Sequence, residues 1–205
     1  MEEESEMDSN LPRKKSKKIR LLLGILLLVL VFLCAYLAAA GYFSLWIDGM
    51  RYVVYDLNRY AYTYETIEET EPFTISLRDP DSNKGMVVYD GGTCRIEVSG
   101  VDAQDGHYRI HFRSYGNYDI DGATLISARK HDIRRGRISS AGDLEAALVC
   151  VADDHSYSCK VAGTAGVYKN GDSFSFHIPD EAVTEQTETL TLVFHHLIRN
   201  RWYEP

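Results

Sequence analysis

The chain has 205 residues, of which 45% are hydrophobic and 25% charged, and its formal net charge is −8 at pH 7. That composition excludes a wholly disordered chain, which would hold fewer apolar residues. The acidic balance argues against a protein that holds nucleic acid through its phosphates.

The first predicted elements are a short tail and a membrane segment. Residues 1–20 begin acidic and end in a cluster of six cations, and we predict a disordered cytoplasmic tail there. Residues 21–47 follow, 27 positions without a charge. About 20 helical residues cross a hydrocarbon core of about 30 Å, so this run predicts one transmembrane helix, a signal anchor. The positive-inside rule then places the N-terminus in the cytoplasm and the rest of the chain outside the cell membrane.

A cleaved secretory signal is the alternative. Ala38, Ala39 and Ala40 precede Gly41 and offer a small-residue cleavage site. However, the apolar core before that site is longer than the roughly 7–15 residues of a signal peptide. The apolar character also continues to Ile47, so we favour the uncleaved anchor.

Residues 48–71 predict an amphipathic juxtamembrane segment. Apolar residues recur from the end of the membrane segment at alternating spacings of four and three: Trp46, Met50, Val53, Leu57, Tyr60, Tyr64 and Ile67. This period predicts a helix that extends the membrane helix outward, with Trp46, Met50, Val53 and Leu57 as its packing face. That face would pack on the adjoining domain or form a dimer seam. A strand through Tyr60, Tyr62 and Tyr64 is the rival interpretation.

Residues 72–205 predict one all-β domain, because apolar residues there recur with a period of two. Tyr108, Ile110 and Phe112 alternate with Arg109 and His111, a pattern typical of half-buried strands. Similar patterns, separated by Gly, Asn and Asp turn residues, occur at 73–77, 86–89, 94–98, 123–127, 146–151, 157–161, 174–178 and 190–195. About nine short strands without a long helical pattern predict an antiparallel, immunoglobulin-like β-sandwich. Only residues 140–148 offer a short helix as an alternative.

This layout is similar to that of the small immunoglobulin-like domains that Gram-positive bacteria display on single membrane anchors. The similarity lies in the order of anchor and β domain. No residue motif carries it, and it assigns the chain to no family.

The cysteines predict one disulfide. Cys150 and Cys159 flank a hairpin whose tip we place at Asp154 and His155, and this register puts the two cysteines directly opposite each other. Cα atoms in such a pair approach to about 4.5 Å, within the range of a disulfide. An oxidising compartment outside the membrane favours the bond.

A basic cluster is the predicted binding site. Five cations fall within nine residues: Arg129, Lys130, Arg134, Arg135 and Arg137. They would form either a solvated loop paired with nearby carboxylates or a docking patch for an acidic partner.

The patterns suggestive of metal binding are incomplete. The twelve-residue windows that begin at Asp79 and Asn117 resemble calcium loops, but neither ends in the usual Glu. Both are explained equally by turn chemistry. His107 and His111 would lie about 13 Å apart along one strand, too far to share an ion. We therefore predict no metal and no cofactor.

One motif suggests catalysis. Gly171-Asp172-Ser173 resembles the nucleophile motif of a lipase and esterase family, which implies a hydrolase with Ser173 as nucleophile. In that family the motif follows the first strand of an α/β fold, whereas here it stands late in a β pattern. We therefore predict no enzyme activity and keep a divergent hydrolase as an alternative.

The sequence as a whole predicts a single-pass membrane protein of the cell envelope whose extracytoplasmic domain binds a protein or envelope ligand. A structural accessory subunit of a membrane complex is the second hypothesis. Nucleic acid is not an expected partner.

Overall fold

The computed structural model describes residues 13–104, 107–131, 144–152, 155–184 and 186–205. It divides into two compact units, one that ends at Phe43 and one that runs from Ser44 to Pro205.

The first unit contains α1 (Arg13–Ala39), one long apolar helix. Its large apolar side chains are exposed at every position from Ile25 to Leu33, so every face of the helix is apolar there. A helix of this kind is stable where another apolar phase covers it. The 22-residue stretch Lys18–Ala39 is long and apolar enough to span a membrane.

Two short helices precede the strands, and the boundary between the units lies within the first of them. α2 (Tyr42–Asp48) and α3 (Met50–Tyr55) are separated by Gly49, and β1 (Ala61–Glu69) follows. The helix that we predicted over residues 48–71 is therefore wrong beyond Tyr55, and the rival strand interpretation is the correct one from Ala61 onward. The reason is tertiary, because β1 pairs along its whole length with the last strand of the chain.

Eleven further strands lie in the described residues. They are β2 (Phe73–Ser76), β3 (Val87–Asp90), β4 (Arg95–Gln104), β5 (His107–Tyr115), β6 (Asn117–Tyr118), β7 (Gly122–Ser127), β8 (Ala147–Ala152), β9 (His155–Ser158), β10 (Lys160–Tyr168), β11 (Gly171–His177) and β12 (Thr189–Tyr203). Single 3₁₀ turns occur at Pro80–Asn83 and Asp180–Ala182.

These strands form two antiparallel sheets. The larger sheet is built around the 15-residue β12, which pairs with β1 and β2 on one side and with β7 and β8 on the other. β6 and β9 extend it as partners of β7 and β8. The smaller sheet has the strand order β10-β11-β5-β4-β3. Two strands of the smaller sheet, β4 and β10, carry register shifts at Gly100 and Gly163.

Side chains from both sheets share the main core. Ile110 and Phe112 are buried as their alternation predicts, and so are Phe174 and Phe194. The ring of Phe112, from the smaller sheet, lies 4.9 Å from that of Phe194, from the larger sheet. The prediction of a mostly antiparallel β domain is thus confirmed.

A second apolar cluster holds α3 against the strands. Met50 and Val53 are fully buried there with Leu125, Val167 and Trp202. Met50 and Val53 therefore pack on the domain, one of the two roles predicted for this helical face. The other two predicted packing residues face outward, with Trp46 74% and Leu57 45% exposed.

The predicted disulfide between Cys150 and Cys159 is absent, and both are free, buried thiols. The hairpin turn lies one position earlier than predicted, with Ala152 opposite His155, so Cys150 faces Tyr157. The two thiols still share a hydrogen bond, which lowers the pKa of Cys150 and raises that of Cys159.

Candidate functional site: a polar groove on the smaller sheet

The outer face of β5 carries a row of basic side chains. Ile110 and Phe112 point into the core, so the alternation of the strand turns Arg109, His111 and Arg113 to the opposite face. These three side chains follow one another at two-residue spacing, about 6.6 Å along a strand.

Beside this row lies a shallow groove of about 440 Å³. Its floor consists of small residues from the neighbouring strands β10 and β11, among them Gly163, Ser173 and Ser175. Gly100 on β4 lines the other side, and no atom lies within 4 Å of where its Cβ would stand. The irregular pairing at Gly100 and Gly163 is of the kind that bends strands next to functional sites.

Polar contacts hold the long side chains of the groove in place. His111 Nε2 lies 2.8 Å from Asp102 Oδ2, and Arg109 Nη2 lies 3.4 Å from His177 Nε2. The guanidinium of Arg113 lies over the ring of Tyr168, at 5.5 Å from its centre. A hydrogen bond with Tyr115 raises the pKa of Arg113, so its charge is retained at any physiological pH.

The groove is locally positive although the chain from Gly41 onward has a net charge of −9. Among the described residues Arg109 and Arg113 have no carboxylate within salt-bridge distance. The nearby carboxylate of Glu97 is neutralised by Arg95 at 2.6 Å, and that of Asp102 faces His111. The arrangement offers two guanidinium groups above hydroxyl-bearing residues.

A buried polar cluster lies at the N-terminal end of β11. We call it the Asp172 cluster, and it consists of Ser127, Arg129, His131, Asp172 and Asn200. Asp172 is 1% exposed, and its Oδ2 accepts hydrogen bonds from Ser127 Oγ at 2.5 Å and from His131 Nε2 at 2.8 Å. Arg129 Nε lies 3.8 Å from the same oxygen. Asp172 Oδ1 has no hydrogen-bond partner among the described residues.

The same cluster fixes the backbone that leads out of β7. His131 N donates to Asn200 Oδ1 at 2.9 Å, and Asn200 Nδ2 donates to Arg129 O at 3.1 Å. The guanidinium of Arg129 donates to the carbonyl of Ala165 at 2.5 Å. The cluster therefore ties the larger sheet to β10 and β11 of the smaller sheet.

The predicted basic cluster is thus split. Arg129 is 7% exposed and ion-paired with Asp172, so its guanidinium follows the alternative interpretation of the cluster, pairing with a carboxylate. Lys130 lies over the ring of Tyr64 with its Nζ 4.3 Å from the centre. Arg134, Arg135 and Arg137 lie outside the described residues.

The Asp-rich turns use their polar groups on their own backbone. Asn83 is buried and its side chain bonds the backbone of Ser76 in both directions. Asp119 Oδ1 accepts from the backbone N–H groups of Asp121 and Gly122. These contacts are those of turns. No group of three or more His, Cys, Asp or Glu residues is placed to hold a metal ion in the part of the chain that the structure describes.

The Gly171-Asp172-Ser173 motif lies within β11 rather than at a turn. Its alternation sends Asp172 into the core and Ser173 into the groove. Ser173 and His177 stand four positions apart on this strand, about 13 Å. A nucleophile and its general base need hydrogen-bond distance, so these two do not form such a pair.

The groove residues were not among the site residues predicted from the sequence, although part of the pattern that unites them is visible there. The alternation in β5 already placed Arg109, His111 and Arg113 on one outward face. The small residues opposite them come from β10 and β11, about 50 to 65 positions further along the chain. The pairing of β11 with β5 that unites them has no local signature.

No protein-family model, curated protein or solved structure matches this chain.

Proposed function

We propose that this chain is a single-pass membrane protein whose extracytoplasmic, immunoglobulin-like β-sandwich domain binds a cell-envelope ligand without catalysis. The groove on the smaller sheet is the proposed binding site. The observation that carries the proposal is the pair of guanidinium groups, Arg109 and Arg113, which form no salt bridge with the described residues and stand above a floor of small residues. Side chains of this kind bind ligands by directed hydrogen bonds.

Two features support the membrane location. The apolar helix Lys18–Ala39 has the length of a membrane span. The basic cluster that precedes it supports a cytoplasmic N-terminus and hence an extracytoplasmic domain.

A photo-crosslinking amino acid at Ser173 tests the proposal in the native membrane. Ser173 lines the groove, whereas the exposed Thr74 of β2 lies on the larger sheet and serves as the matched control position. We expect a light-dependent adduct with an envelope component from position 173 and none from position 74. Equal adducts from both positions, or none from position 173, would contradict binding in the groove.

A structural accessory subunit of a membrane complex is the second candidate. It is favoured by the exposure of Trp46 and Leu57, two large apolar side chains near the predicted membrane segment. In that case Leu57→Glu should abolish co-purification of the partner without unfolding the domain, because Leu57 is exposed. Unchanged co-purification would count against this candidate.

A further inference from the structure

We infer that the ligand of the groove is an extended polymer that carries phosphate groups. This inference rests on the proposed function and specifies the chemistry of its ligand.

The first argument is spacing. Arg109, His111 and Arg113 project from one face of β5 at intervals of about 6.6 Å, so the two guanidinium groups originate about 13 Å apart. A single small anion contacts one such group. An extended chain that carries several anionic groups can contact both guanidinium groups at once.

The second argument is the set of donors. Each guanidinium presents a planar fork of N–H groups that matches two oxygens of a phosphate or carboxylate. The floor adds the hydroxyl groups of Ser173 and Thr164. A phosphate group uses such a mixed set fully, because its unesterified oxygens accept from several directions.

The third argument concerns what the groove does not offer. Phe112 and Phe174 belong to its lining, but both rings are buried in the core. The groove therefore offers a ligand small and polar side chains, and these two rings offer it no aromatic face on which a sugar ring could stack. Recognition then depends on the anionic groups of the ligand.

The carboxylate of Asp102 opposes this binding. The carboxylate of Asp102 stands at the edge of the groove, 2.8 Å from His111 Nε2. An anionic ligand would be repelled by Asp102, over a distance of about 10 Å at ordinary ionic strength. Asp102 is therefore the residue whose neutralisation should strengthen binding.

The test measures the binding of fluorescently labelled inorganic polyphosphate to the full-length protein. The protein is held in nanodiscs of zwitterionic lipid, which carries no net charge. We expect Arg109→Gln and Arg113→Gln each to weaken binding about tenfold, the size typical of a lost charge-assisted hydrogen bond. Arg78→Gln is the matched control, because Arg78 is exposed and pairs with Glu188 away from the groove. Asp102→Asn should strengthen binding.

Three results would overturn the inference: no binding of polyphosphate, equal losses in Arg109→Gln and Arg78→Gln, or equally tight binding of polyglutamate of the same length. The last result would assign the groove to acidic polypeptides. If the adduct at Ser173 forms in native membranes and polyphosphate fails to bind, the ligand class is wrong and the proposed function stands. If the adduct is absent as well, both are wrong.

Discussion

Asp172 illustrates how a single buried charge organises this domain. Its carboxylate contacts the hydroxyl of Ser127, the imidazole of His131 and the guanidinium of Arg129. All three of these side chains are buried, with at most 9% of each exposed. Removal of one partner from a buried ionic group leaves the others without compensation, and this costs more than the intact pair contributes. The stability of the domain therefore depends strongly on Asp172.

We predict that Asp172→Ala lowers the free energy of unfolding by about 3–5 kcal/mol, because Arg129 and His131 lose their partner inside the core. Denaturant unfolding of the full-length protein in detergent, followed by near-ultraviolet circular dichroism, measures the loss. Glu188→Ala is the control, since its exposed pair with Arg78 should contribute less than about 1 kcal/mol. Equal losses in the two variants would refute the structural role of Asp172.

Tyr60 makes the stability of the domain depend on pH in the alkaline range. Burial raises the pKa of Tyr60 from 10.0 to about 12, and its hydroxyl donates to the carbonyl of Ile120 at 2.8 Å. The fold thus favours the neutral phenol, whose contribution to stability is complete below pH 10 and lost as the pH rises toward about 12.

We therefore expect the wild-type protein to lose more stability than Tyr60→Phe between pH 10 and about 12. At neutral pH the variant should be less stable by about 1 kcal/mol, the net value of one hydrogen bond. Denaturant midpoints measured at neutral and alkaline pH provide the comparison. Parallel curves for the two proteins would show that Tyr60 does not titrate with unfolding.

At the scale of single residues, the sequence predicted which side chains are buried better than it predicted which side chains they contact. Alternation correctly assigned Ile110 and Phe112 to the core and Arg109 to the surface. It could not predict that Arg129 would be buried, because the partner that compensates its charge, Asp172, lies 43 positions away. A cluster of cations in a sequence does not reveal which of its members meets a carboxylate in the fold.

Among the elements, the junction between α2 and α3 requires a glycine. Gly49 has a φ of 58°, and a Cβ there would lie 2.3 Å from the carbonyl oxygen of Lys169. The next residue, Met50, donates its N–H to that same oxygen at 2.8 Å. This close approach between the two backbone segments holds α3 in the position in which Met50 and Val53 are buried.

Gly49→Ala should therefore destabilise the domain by at least about 1–3 kcal/mol, through backbone strain and the clash with Lys169. Gly166→Ala is the matched control, since nothing lies within 4 Å of its Cβ position. Thermal unfolding of both variants in detergent gives the answer. A tolerated Gly49→Ala would mean that α3 does not dock as described.

For two elements the favoured interpretation of the local sequence was wrong. The apolar stripe from Trp46 to Ile67 fits a helical period, yet Ala61–Glu69 is a strand because β12 offers it a partner along nine residues. The hairpin of β8 and β9 has its turn one position earlier than predicted. A shift of that size changes every opposed pair, so Cys150 lies opposite Tyr157 rather than Cys159.

On the scale of the whole molecule, the order of an apolar helix and a mostly antiparallel β domain was predictable, because each has its own hydrophobic period. The groove was not predictable as a unit. Its lining comes from four strands, and the order β10-β11-β5-β4 that brings them together depends on contacts between distant segments.

The location of the β domain outside the cell membrane is the claim on which the proposed function depends. A membrane-impermeant thiol reagent tests it in intact cells with cysteines introduced by Thr74→Cys in the domain and Ser9→Cys in the tail. Cys94, Cys150 and Cys159 are buried, so they should contribute little background, and the unsubstituted protein measures what remains. We expect labelling of Thr74→Cys in intact cells and of Ser9→Cys only after permeabilisation. The reverse pattern would place the domain and its groove in the cytoplasm and contradict the binding of an envelope ligand.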